Sequence, residues 1–86
     1  MPEISRFYGI IIRMYFQDHN PPHFHAEYQG MKAEYDIRTL DILAGSIPKR
    51  ANALVLEWAS EHKDELMNNW KKAIVPTTLD KIDPLN

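Results

Sequence analysis

Residues 23 to 38 alternate in two blocks around a central Gln29-Gly30. In the first block His23, His25 and Glu27 interleave with Phe24, Ala26 and Tyr28. In the second, Met31, Ala33, Tyr35 and Ile37 interleave with Lys32, Glu34, Asp36 and Arg38. A period of two sends successive side chains to opposite faces of a strand. A glycine free to take positive φ closes a two-residue hairpin turn between the blocks. The turn then sets the register: Tyr28 opposite Met31, Glu27 opposite Lys32, His25 opposite Glu34 and His23 opposite Asp36. One face of this hairpin is apolar, the other rich in imidazole and charge.

The remaining chain is arranged around that hairpin. Residues 7–17 are rich in β-branched and aromatic side chains and read as a strand. Tyr8, Ile10, Ile12, Met14 and Phe16 share its apolar face; Phe7, Ile11, Arg13, Tyr15 and Gln17 share the other. Asp18-His19-Asn20-Pro21-Pro22 breaks the ladder, because proline fixes φ and cannot donate. A loop centred near Asn20 sets Tyr15 opposite His25 and Arg13 opposite Glu27. Thr39 to Asp41 turns the chain, and Ile42 to Ala44 forms a short fourth strand.

From Pro48 the period changes to that of a helix, with Ser46 or Ile47 at its cap. Ala51, Leu54, Val55, Trp58, His62, Leu66, Trp70 and Ala73 form one stripe, and Pro76 ends the helix. His62 on that stripe reads as a buried or half-buried structural histidine. The tail carries spaced Leu79, Ile82 and Leu85, which pack down or add a short strand.

The expected fold is α+β: an antiparallel sheet of about four strands (β-β-β-β-α) with one long C-terminal helix packed on one face. Residues 1–86 form a single domain, divided into an N-terminal arm (1–6), a β-sheet (7–46), a helix (47–75) and a C-terminal tail (76–86).

The helix leaves the opposite face open. That face gathers Arg13, Tyr15, His23, His25, Glu27, Lys32, Glu34, Asp36 and Arg38, with opposed side chains about 5 Å apart at Cβ. Histidine beside a carboxylate suits acid–base work. On that reading His23 and His25 are acid and base, Arg13 holds a phosphate, and Tyr15, Glu34 and Asp36 complete a catalytic group for RNA cleavage without a cofactor. A second reading is a divalent metal held by His19, His23 and His25, since neutral imidazole suits zinc and similar ions. A third is a non-catalytic face that docks a partner protein, with Phe7, Ile11 and Tyr15 among its charges. The plainest is a solvated polar face with cross-strand ion pairs.

Composition narrows these choices. The chain of 86 residues has no cysteine, so thiolate metal sites, thiol nucleophiles and disulfides are excluded. Its net charge of −2 gives no overall basic field for nucleic acid. No apolar run is long enough to span a membrane, the start does not read as a signal peptide, and no glycine-rich phosphate loop is present.

Several stretches also carry a resemblance. Pro2-Glu3-Ile4-Ser5-Arg6-Phe7-Tyr8-Gly9-Ile10, Arg13-Met14-Tyr15-Phe16 and Asp18-His19-Asn20-Pro21-Pro22-His23-Phe24-His25 are similar to the bacterial family filed as domain of unknown function 4160. The similarity continues through Pro48-Lys49-Arg50-Ala51, Leu56-Glu57-Trp58-Ala59 and Lys81-Ile82-Asp83-Pro84-Leu85. Arg13, Tyr15, Asp18, His19, Pro21, Pro22, His23 and His25 match its motif. The family supplies no established catalytic residues. The resemblance implies a small cytoplasmic protein encoded beside a small partner protein, in the manner of toxin–antitoxin pairs. The function expected is therefore a module of that kind acting on RNA through its histidine-rich face; the alternatives are the protein-docking module and the metal-binding protein.

Overall fold

The computed structural model describes residues 2–75 and 77–86. Five antiparallel strands form one sheet: β1 (Glu3–Phe7), β2 (Ile10–Arg13), β3 (His23–Tyr28), β4 (Met31–Asp36) and β5 (Ile42–Gly45), in the order β1-β2-β3-β4-β5. Two helices follow, α1 (Lys49–Glu61) and α2 (Lys63–Ile74). The α+β class is as expected. The strand and helix counts are corrected from four to five and from one to two.

The fifth strand comes from a hairpin hidden in the N-terminal stretch. Tyr8 and Gly9 both take positive φ, 49° and 80°, and close a two-residue turn that pairs Phe7 with Ile10. Directly paired residues share a face. Phe7 therefore lies with Ile10 in the core against Trp58, at a ring separation of 5.3 Å, and not on the polar face. Tyr8 leaves the apolar face and is 58% exposed.

The β3–β4 hairpin has the expected register at every position, Tyr28↔Met31 through His23↔Asp36. Between β2 and β3 the register differs by two residues: Arg13 faces His25 and Ile11 faces Glu27. A shift of two preserves which face each side chain occupies. β2 ends at Arg13, so Tyr15 and Phe16 lie outside the ladder. Gln17 N–H instead donates to Ala73 O at 2.9 Å, and Phe16 is 43% exposed rather than covered by a helix.

α1 starts at Lys49, with Pro48 in the cap position and no side-chain cap. Ser46, expected there, is still tied to the sheet through its N–H on Lys32 O at 2.9 Å. The apolar stripe continues through both helices, with Ala51, Val55, Trp58, Leu66, Trp70 and Ala73 all buried. The backbone breaks at His62 (φ −129°, ψ 23°). Its N–H donates to Ala59 O and its carbonyl accepts from Leu66 N–H. Its ring meets Trp58 at 5.4 Å and Glu65 Oε1 at 2.6 Å from Nδ1, as a half-buried structural residue should. The expected stop at Pro76 lies outside the described residues.

Among its described residues, 77–86, the tail packs down without forming a strand. Ile82 N–H donates to Ile4 O, and Trp58 Nε1–H donates to Asp83 O, each at 2.8 Å. Asn69 and the Asp80 backbone exchange two hydrogen bonds of 2.9 Å. The core lies between the helices and the sheet face carrying Ile10, Ile12, Phe24, Ala26, Ala33 and Tyr35. No helix among the described residues is long and apolar enough to cross a membrane.

Candidate metal centre

His23 and His25 stand two residues apart on β3 and so share a face. They differ in depth. His25 is half-buried, in a T-shaped contact with the Tyr15 ring at 4.4 Å. His23 is 1% exposed, because Trp70 of α2 closes over its ring at 5.3 Å. The open face expected of both histidines is thus roofed at His23 by the second helix.

The loop before β3 supplies what the strand alone does not. Asp18 Oδ2 lies 2.9 Å from His23 Nε2 and 3.3 Å from His25 Nε2. Its Oδ1 accepts the His19 N–H at 2.9 Å. Burial pushes the Asp18 carboxyl up; the His19 amide, the His25 hydrogen bond and the charge of His23 outweigh it, and the group is held below the ordinary carboxylate range.

The geometry around His23 fixes its tautomer. Nδ1 lies 2.7 Å from Pro21 O, and a carbonyl only accepts, so Nδ1 carries the proton. Nε2 then faces Asp18 at 2.9 Å and Glu34 Oε1 at 3.4 Å. In a neutral ring that nitrogen presents a lone pair to two carboxylates. A cation shared by the ring and the carboxylates would satisfy that contact.

Asp18, His23 and His25 each offer one ligand atom, all within 4.8 Å of one another. Bonds of about 2.0–2.1 Å to a shared ion put neighbouring ligand atoms about 2.9 Å apart at right angles and about 3.3 Å apart at tetrahedral angles. The two contacts from Asp18 Oδ2 fall at those separations.

The other expected residues are placed as follows. His19 lies beside the cluster, its Nδ1 2.9 Å from Asp18 Oδ1, but its side chain is 80% exposed and it is not among the three grouped ligand atoms. Glu34 is near, though it approaches His23 rather than His25, its cross-strand partner. Arg13 donates to Glu27 Oε2 at 2.8 Å. Tyr15 packs on His25 from outside the strand. Asp36 turns away: its Oδ1 accepts the Arg38 and Thr39 N–H groups and shapes the turn before β5. In the sequence Asp18 stands out only as a motif position, and strand parity says nothing of its central place. The available clue is a carboxylate five residues before His23 in a loop stiffened by two prolines.

A family model described as a domain of unknown function (DUF4160) matches residues 9–71, which take in β2 through most of α2 and every residue of the cluster. Neither curated proteins nor solved structures give a match.

Proposed function

The chain belongs to the DUF4160 family, and from that premise we propose that it is a metal-binding protein whose site is formed by Asp18, His23 and His25. Two imidazoles and one carboxylate suit zinc or a comparable late divalent ion, and three protein ligands leave coordination positions open. The observation that carries this reading is the His23 ring. Its Nδ1–H is spent on the Pro21 carbonyl, and its Nε2 is aimed at Asp18. Metal-ligating histidines ordinarily donate the second ring nitrogen to a carbonyl or carboxylate in this way, which fixes tautomer and orientation.

The same residues entered the RNA-cleavage reading, with His23 and His25 as acid and base and a nearby partner protein. Burial of His23 beneath Trp70 favours the metal reading, since a residue exchanging protons with a polymer must reach it. A buried ligand faces no such demand. His19 Nδ1 lies 2.9 Å from Asp18 Oδ1, and on this reading it steadies Asp18 rather than binding the ion itself.

The test is metal content. Protein made without a histidine tag is equilibrated with Zn²⁺, separated from free ion and analysed by atomic emission. The expected result is close to one ion per chain, lost in a His23→Ala/His25→Ala double variant whose circular dichroism stays native. Retention of metal by a folded double variant, or no uptake by the parent chain, overturns the reading.

A further inference from the structure

Away from the cluster, the β1–β2 turn and the start of α1 enclose a cavity of about 260 Å³. Tyr8, Tyr28, Ile10, Ala51 and Leu54 make its walls, and Arg50 stands at it as the one charged lining residue. No residue of the metal cluster borders it. We infer that this cavity is a binding site for a small organic carboxylate with a flat apolar body, the ring lying between the tyrosines and the carboxylate on Arg50.

Three observations carry this. Arg6 and Arg13 are paired with glutamates; Arg38 and Arg50 have no ion-pair partner among the described residues, and of these two only Arg50 borders the cavity. A planar guanidinium beside an apolar cavity matches a carboxylate in charge and in its two-pronged geometry. The volume lies just below the range of about 300–1,000 Å³ typical of drug-sized ligands, which points to a smaller molecule.

Tyr8 supplies the third. It occupies the first turn position at φ 49°, where asparagine, aspartate or glycine is the usual choice. Its side chain is largely exposed and makes no hydrogen bond or ring contact among the described residues. The left-handed turn position does not itself call for an aromatic ring. At the mouth of a cavity it offers a stacking surface.

The experiment follows backbone amide NMR signals of the full chain during titration with phenylacetate, phenylacetamide and acetate. Phenylacetate should give saturable shifts concentrated at Tyr8, Gly9, Arg50, Ala51 and Leu54. The neutral amide and the ringless acetate should each bind about tenfold more weakly or worse. Arg50→Gln should weaken phenylacetate binding about tenfold and leave phenylacetamide binding unchanged. Tyr8→Asn should raise the melting temperature by relieving the turn while weakening phenylacetate binding. Shifts centred elsewhere, equal binding of phenylacetate and its amide, or full affinity in Arg50→Gln each overturn the inference. None of these outcomes depends on whether Asp18, His23 and His25 hold a metal.

Discussion

Asp18 Oδ2 sits 2.9 Å from Nε2 of His23, a ring that is 1% exposed and whose other nitrogen donates to a backbone carbonyl. The carboxylate and the imidazole therefore meet at a hydrogen-bond separation, which is also the spacing two ligands of one shared ion would have. Asp18→Asn keeps the size of the side chain and removes its charge. Outer-shell changes typically cost 10–100-fold in metal affinity, so replacing a ligand should cost more than about 100-fold. Competition for Zn²⁺ with a chromophoric chelator measures this directly. Parent-like affinity in the Asp18→Asn variant places the ion elsewhere.

The same carboxyl gives the metal-free protein an acid sensitivity. Asp18 is held below its ordinary value of 3.8 in the folded state, so the unfolded chain takes up its proton first as pH falls. The stabilisation is complete well above 3.8 and is lost as pH drops through the lowered folded value. Urea unfolding between pH 6 and pH 2.5, with chelator present, should show the parent losing more stability than Asp18→Asn in that acid window. Parallel curves count against this environment for Asp18.

The β3–β4 hairpin was readable because two signals agree there: strict alternation, and Gln29-Gly30 at the midpoint. The β1–β2 hairpin was not. Tyr8-Gly9 opens with a residue that seldom takes turn positions, and the strand signal runs through it from Phe7 to Gln17. Reading through the turn moved Phe7 to the wrong face. The break at His62 was hidden for the opposite reason, since the apolar stripe passes through it and neither proline nor glycine marks it. At the site, strand parity placed His23 and His25 together. The path of the loop that returns Asp18 to them, and the Trp70 roof over His23, depend on contacts between segments far apart in sequence.

Two glycines with similar φ should respond differently to alanine. Gly30 (φ 82°) has open space where a Cβ would stand, so Gly30→Ala meets only the left-handed backbone penalty of about 1–2 kcal/mol. Gly45 (φ 72°) ends β5 with the Lys32 carbonyl oxygen where its Cβ would go, and that oxygen also accepts Ser46 N–H. Gly45→Ala must move backbone of the central hairpin as well, and should cost at least about 2 kcal/mol more than Gly30→Ala. Guanidinium denaturation of the two variants side by side decides it. Equal losses mean that the β4–β5 edge yields freely.

Tyr35 links the sheet to α1, its ring stacked on Phe24 at 5.2 Å and its hydroxyl donating to Asn52 Oδ1 at 2.6 Å. Burial pushes its phenol from 10.0 up to about 12. The folded state thus keeps the proton after the unfolded chain has released it. This stabilisation is fully present below about pH 10 and is lost as pH rises toward about 12, a difference worth about 3 kcal/mol. Tyr35→Phe removes that dependence. At pH 7 the variant should be less stable by about 1 kcal/mol, since Asn52 loses its donor but remains partly accessible to water. Between pH 10 and pH 12 the parent should fall toward and below the variant, while the lysines shift both alike. Urea midpoints taken across that range test the crossing, and a constant gap at all pH values means that the Tyr35 hydroxyl reaches solvent in the folded protein.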